Sequence, residues 1–264
     1  MQAHLNGIDV HYEITGSGPW LTLSHSLATT LDMWQPQLQR LGEHFTLLRY
    51  DTRGHGGTSA PAAPYRLEQL ADDAQALLQH LGMERTHWLG LSMGGMVGQM
   101  LAIRHPQLLH RVVLADTTGQ VPSAGAQMWA DRVRIARSEG MAALVQPTLS
   151  RWFTDPYRAA QPELMARIAA MIHHTPLEGY AGCCAAIAST NTLAALQQLR
   201  APALVIVGEH DQATPPAAAQ ALVSHWPGAS LVVLAGAAHL ANIEQAEAFN
   251  EAVLGFLLDS GGVA

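Results

Sequence analysis

Lysine is absent from this 264-residue chain: all fourteen basic side chains are arginine. The absence excludes a Schiff-base lysine and a phosphate-loop lysine. Any carboxylate bound through a cationic side chain must therefore meet arginine or a protonated histidine. Cysteine is nearly absent too. Cys183 and Cys184 are adjacent, so they build no disulfide framework and no metal-ligand spacing, and they read as two small buried residues. Neither a metal nor a cofactor is expected. No apolar run is long enough to span a bilayer, and the first residues form neither a basic nor an apolar leader, so no membrane partner and a cytoplasmic location are expected. Charge is sparse, at 13% of residues, and the net charge is −7. Without a basic run interleaved with aromatics, nucleic acid is not an expected partner.

What is present is apolar sequence, 48% of the chain, enough for a large core. The first half alternates strand-like runs with helical stretches. "IDVHYEITG", "WLTLSHS", "FTLLRYD", "THWLGLS" and "RVVLAD" read as strands. "LEQLADDAQALLQHLG" carries its apolar residues at helical spacing, and a further helix runs from about Gly94 to a stop at Pro106. This rhythm predicts right-handed crossovers and a mostly parallel α/β sheet. From Gln120 to Leu196 the patterns are helical only; strands return with "APALVIVGEHD" and "ASLVVLAGAAH". The expected organisation is a core of residues 1–119 and 197–264 interrupted by a helical lid over 120–196.

Reactive residues cluster at the expected carboxyl ends of the strands, where open α/β sheets gather their ligands. They are His25 and Ser26, Asp51 and Arg53, Ser92, Asp116, and the pair Asp211 and His239. Gly90-Leu91-Ser92-Met93-Gly94 lies between a strand and a helix. It matches neither glycine-rich phosphate motif, but it is Gly-x-Ser-x-Gly, the pattern that presents a serine nucleophile on a sharp turn. The helix start then aims N–H groups, led by that of Met93, at a developing oxyanion. A serine hydroxyl needs a base, and the base an orienting acid, in the chain order serine, acid, histidine. His239, in the last small-residue loop before the terminal helix, suits the base. His55 is the other histidine whose loop could line the pocket. Asp211 before "PP" suits the acid, with Asp116 at the end of the neighbouring strand as the alternative. The second oxyanion donor is expected from Leu27, with Ser26 adding a hydroxyl beside it.

Those residues carry a resemblance. The chain is similar to the α/β-hydrolase superfamily through "YDTRGHG" at 50–56, "GLSMGG" at 90–95, "GEHDQATPP" at 208–216 and "AAHLANIEQ" at 237–245. It resembles in particular the bacterial 3-oxoadipate enol-lactonases, through "LSHSLATTLDMW" at 23–34, "GMAAL" at 140–144, "RWF" at 151–153 and "GYAGCCAAI" at 179–187. It departs from them at His25 and Asp116, where asparagine is usual or common, at Ala28 for glycine and at Ala246 for proline. The resemblance implies the α/β-hydrolase fold and opening of the lactone ring of 3-oxoadipate enol-lactone through an acyl-enzyme on Ser92.

Such a substrate is a small lactone carrying a carboxylate. The 120–196 block holds six arginines, and Arg132, Arg134 or Arg151, assisted by Trp129 or Trp152, is expected to anchor that group. A general carboxylesterase or a carbon–carbon bond hydrolase would use the same triad. A catalytically weak ligand-binding receptor of the same fold would bind its ligand with negligible turnover.

Overall fold

The computed structural model describes residues 1–259. Eight strands form one sheet: β1 (Gln2–Leu5), β2 (Ile8–Gly16), β3 (Trp20–Ser24), β4 (Thr46–Tyr50), β5 (Thr86–Leu91), β6 (Leu109–Ala115), β7 (Ala203–Gly208) and β8 (Ser230–Leu234). Their spatial order is β1-β2-β4-β3-β5-β6-β7-β8. β2 is antiparallel to both its neighbours and every later pairing is parallel. β7, "ALVIVG", is buried along its whole length, as a strand covered on both faces must be.

Helices α1 (Gln35–Gly42), α2 (Leu67–His80) and α3 (Met93–Arg104) cover the first half of the sheet. α2 shows why such a stretch becomes a helix: Leu67, Leu70, Ala71, Ala74, Leu77 and Leu78 repeat at helical spacing and all are buried. Between β6 and β7 the chain builds α4 (Ser123–Glu139), α5 (Ala142–Trp152), α6 (Asp155–Ala160), α7 (Pro162–His174), α8 (Leu177–Ala188) and α9 (Leu193–Leu196). α10 (Pro216–His225), α11 (Ala241–Glu244) and α12 (Ala246–Leu258) complete the fold. No described helix is long and apolar enough to cross a membrane. Cys183 and Cys184 are buried within α8 as free thiols.

This topology opens the site. β3 and β5 are neighbours, yet β3 is followed by β4 on one side and β5 by β6 on the other. Their carboxyl-end loops therefore diverge and leave a crevice. The helices between β6 and β7 supply the opposite wall, with α4, α5 and α8 all lining the pocket above Ser92.

Candidate active site

Ser92 sits at the end of β5 with φ 56° and ψ −113°, a backbone conformation rare for a residue with a side chain. The two motif glycines explain how the turn closes. A Cβ on Gly94 would lie 2.0 Å from the Ser24 carbonyl oxygen, and one on Gly90 would lie 2.1 Å from the Gly94 carbonyl oxygen. Only glycine lets β5 and α3 approach β3 this closely.

His239 follows β8 and Asp211 follows β7. His239 Nδ1–H donates to Asp211 Oδ2 at 2.8 Å, which leaves the Nε2 lone pair for the Ser92 hydroxyl, 3.0 Å away. Asp211 is held in turn. Its Oδ1 accepts the N–H groups of Ala213 (2.7 Å) and Thr214 (2.9 Å), and its Oδ2 also accepts the Thr214 hydroxyl (2.7 Å). Burial pushes this carboxyl up, but the His239 imidazole and the Thr214 hydrogen bonds outweigh it and hold Asp211 below the usual carboxylate value. Asp211, not Asp116, reaches the histidine. Asp116 ends β6 behind it, fully buried, with its Oδ1 accepting the Gly208 N–H at 2.8 Å.

The loop after β3 is set by two histidines. His25 Nδ1–H donates to the Ser26 carbonyl (2.7 Å) while its Nε2 accepts the Thr52 N–H (2.9 Å). His55 Nε2 accepts the Ala28 N–H at 2.9 Å. Ala28 itself has φ 58°. The Ala28 amide is thus occupied, whereas the N–H groups of Leu27 and Met93 donate to no acceptor among the described residues. Burial lowers both imidazoles below the ordinary histidine value, His55 to about 3, so both rings are neutral acceptors at Nε2. His55 therefore braces the loop and does not line the pocket.

The pocket above Ser92 is lined by Ser26, Leu27, Trp129, Arg132, Arg151, Trp152 and Tyr180, among others. The Ser26 hydroxyl is buried and has no partner among the described residues. Arg132 Nε–H donates to the Tyr180 hydroxyl (3.0 Å), its Nη2 donates to the Thr148 hydroxyl (2.6 Å), and the guanidinium lies 5.9 Å from the Trp129 ring centroid. Burial, and after it the neighbouring Arg132 charge, lower the Arg151 guanidinium below its ordinary value. Neither arginine is ion-paired among the described residues, whereas Arg134, Arg137 and Arg158 each meet an acid. The Trp152 ring stands 6.2 Å from the His239 imidazole.

Arg134 is not brought to the site. Its side chain is 70% exposed and faces Asp131 at 3.7 Å. Asp51 and Arg53 are structural. Asp51 accepts the Leu31 and Gly57 N–H groups, and Arg53 forms a buried two-point pair with Asp73 of α2 at 2.6 and 2.8 Å. Sequence reasoning missed Thr148, Tyr180 and Thr214. Only Thr214 had a local signal, an Asp-x-x-Thr spacing that lets a carboxylate cap the following turn.

Residues 19–246 match the family model described as the alpha/beta hydrolase fold. The chain is 39% identical to the 3-oxoadipate enol-lactonase 2 of Acinetobacter baylyi over 89% of its own length and 87% of that protein's. It is 30% identical to the putative carbamate hydrolase RutD of Stutzerimonas stutzeri, covering 96% and 98% of the two chains. The crystal structure of the enol-lactonase from Burkholderia xenovorans LB400 superposes with a TM-score of 0.95 at 42% identity, covering 98% of this chain and all of that one (100%).

Proposed function

This chain belongs to the α/β-hydrolase family, and from that premise we propose that it opens the lactone ring of 3-oxoadipate enol-lactone, giving 3-oxoadipate in the breakdown of aromatic compounds. One observation carries the reading. The Ser92–His239–Asp211 chain of hydrogen bonds lies under a pocket holding two guanidiniums, Arg132 and Arg151, that meet no acid among the described residues. The triad suits an ester carbonyl, and the arginines suit a carboxylate attached to it. The similarity to proteins named enol-lactonases supports the choice of substrate.

In this reading Ser92 Oγ attacks the lactone carbonyl while His239 Nε2 takes the hydroxyl proton. The imidazolium is stabilised by Asp211. The N–H groups of Leu27 and Met93 receive the oxyanion, with Ser26 beside them. The ring C–O bond then breaks, and the enolate oxygen leaves while still tethered to the acyl group. It takes the His239 proton and tautomerises to the ketone. Water, deprotonated by His239, attacks the acyl-enzyme and releases a second carboxylate. An enolate leaves more readily than an alkoxide, so oxyanion stabilisation carries more of the barrier than proton donation. Residues 120–196 serve as a lid that excludes water and carries Trp129, Arg132, Arg151 and Trp152 to the substrate. Free, adjacent Cys183 and Cys184 suit a reducing cytoplasm.

The test is direct: supply the enol-lactone, follow its loss, and repeat with Ser92→Ala. Rapid loss with the parent enzyme and none with the variant is expected. Turnover of simple aryl esters without lactone opening would replace this reading with that of a general carboxylesterase.

A further inference from the structure

Asp116 is a buried acid that the reaction above leaves idle. It is fully enclosed at the end of β6 with φ 44°, a strained conformation for an aspartate that persists only where the surroundings enforce it. Its Oδ1 accepts the Gly208 N–H, its Oδ2 has no well-formed hydrogen bond among the described residues, and the Ala241 amide acts on the carboxyl only electrostatically. The charged group that faces it is Asp211 on the loop after β7: Gly208, whose N–H Asp116 accepts, in turn accepts the Asp211 N–H at 3.1 Å, and His239 lies beyond. Two buried carboxyls that face one another do not both ionise at neutral pH, because the like charge and the lost solvation strongly raise one of them. The donors decide which one is. Asp211 collects four: Ala213 N–H, Thr214 N–H, the Thr214 hydroxyl and His239 Nδ1–H.

We propose that Asp116 is a positioning residue: it holds the single proton of this buried carboxyl pair and, as a neutral donor, braces the Asp211 carboxylate against His239. The proton turns the unpartnered Oδ2 from an orphaned acceptor into a donor for the facing Asp211 carboxylate. Consistently, burial and then the Asp211 charge raise the Asp116 carboxyl well above the usual value, outweighing the Gly208 and Ala241 amides.

The inference rests on the triad reading, so its test uses a readout independent of activity. Infrared difference spectra of the parent against Asp116→Asn should contain the C=O stretch of a protonated carboxyl at neutral pH. Asparagine donates without ionising, so Asp116→Asn should stay within about threefold of the parent in kcat on a simple aryl ester. Asp116→Ala should lose about tenfold to hundredfold in kcat with KM little changed. No protonated-carboxyl band, an unaltered kcat in Asp116→Ala, or equal damage in the two variants would overturn the proposal. If Ser92→Ala retained activity, the triad reading itself would fall, an outcome separate from the infrared result.

Discussion

Gly54, in the loop after β4, and Gly179, in the first turn of α8, meet backbone to backbone. A Cβ on Gly179 would lie 2.0 Å from the Gly54 carbonyl oxygen, and one on Gly54 would lie 2.4 Å from the Gly179 Cα. The helices inserted between β6 and β7 are thus seated on the sheet domain at a point with no room for a methyl group. Tyr180, the next residue, carries the hydroxyl that holds Arg132.

Gly179→Ala should therefore shift α8 and with it the guanidinium. Overpacking of this kind costs about 1–3 kcal/mol. Thermal unfolding should start earlier, and KM for a carboxylate-bearing lactone should rise more than kcat falls. An unchanged melting temperature with unchanged KM would show that the contact relaxes at no cost.

Arg132 and Arg134 lie on one helix and are predicted to behave oppositely. Losing a charge-assisted contact to the substrate carboxylate should raise KM about tenfold or more in Arg132→Gln. Arg134→Gln should match the parent, because Arg134 is exposed and faces Asp131. Arg151→Gln should follow Arg132, since both line the pocket. A neutral aryl ester should distinguish the variants far less. Equal KM values across the set would remove the carboxylate-anchoring role.

The two histidines behind the loop after β3 set an acid limit on stability. His55 is neutral in the fold down to about pH 3, whereas its ordinary value is 6.5. Between these values the unfolded chain binds a proton that the native one does not. Its contribution is fully present above pH 6.5 and is lost as pH falls towards 3, by up to about 1.4 kcal/mol per pH unit. His55→Gln keeps an acceptor for the Ala28 N–H but cannot be protonated. Its melting temperature should fall less between pH 7 and pH 5 than that of the parent; parallel curves would refute the assignment.

Two glycine-to-alanine changes should have opposite signs. Gly94→Ala drives a Cβ to 2.0 Å from the Ser24 carbonyl and should abolish activity, soluble expression or both. Gly255, in the exposed interior of α12, has nothing within 4 Å of its virtual Cβ. Alanine there should stabilise the protein by about 0.5–1 kcal/mol through helix propensity, read as a higher melting temperature.

Much of this was legible in the chain itself because it is written locally. The Gly-x-Ser-x-Gly turn needs only five consecutive residues, and the strand–helix rhythm needs only apolar period and breakers. Even the absence of lysine, which leaves arginine as the cation for a carboxylate, is a property of composition. Tertiary structure decided whatever depends on which of two similar residues faces inward. Asp116 and Asp211 both end strands of one sheet, and only the course of the loop after β7 takes Asp211 Oδ2 to 2.8 Å from His239. Arg132 and Arg134 are two residues apart, which a helix turns into nearly opposite faces. Which face of α4 looks into the pocket is set by α5 and α8, whose Thr148 and Tyr180 hold Arg132 in place.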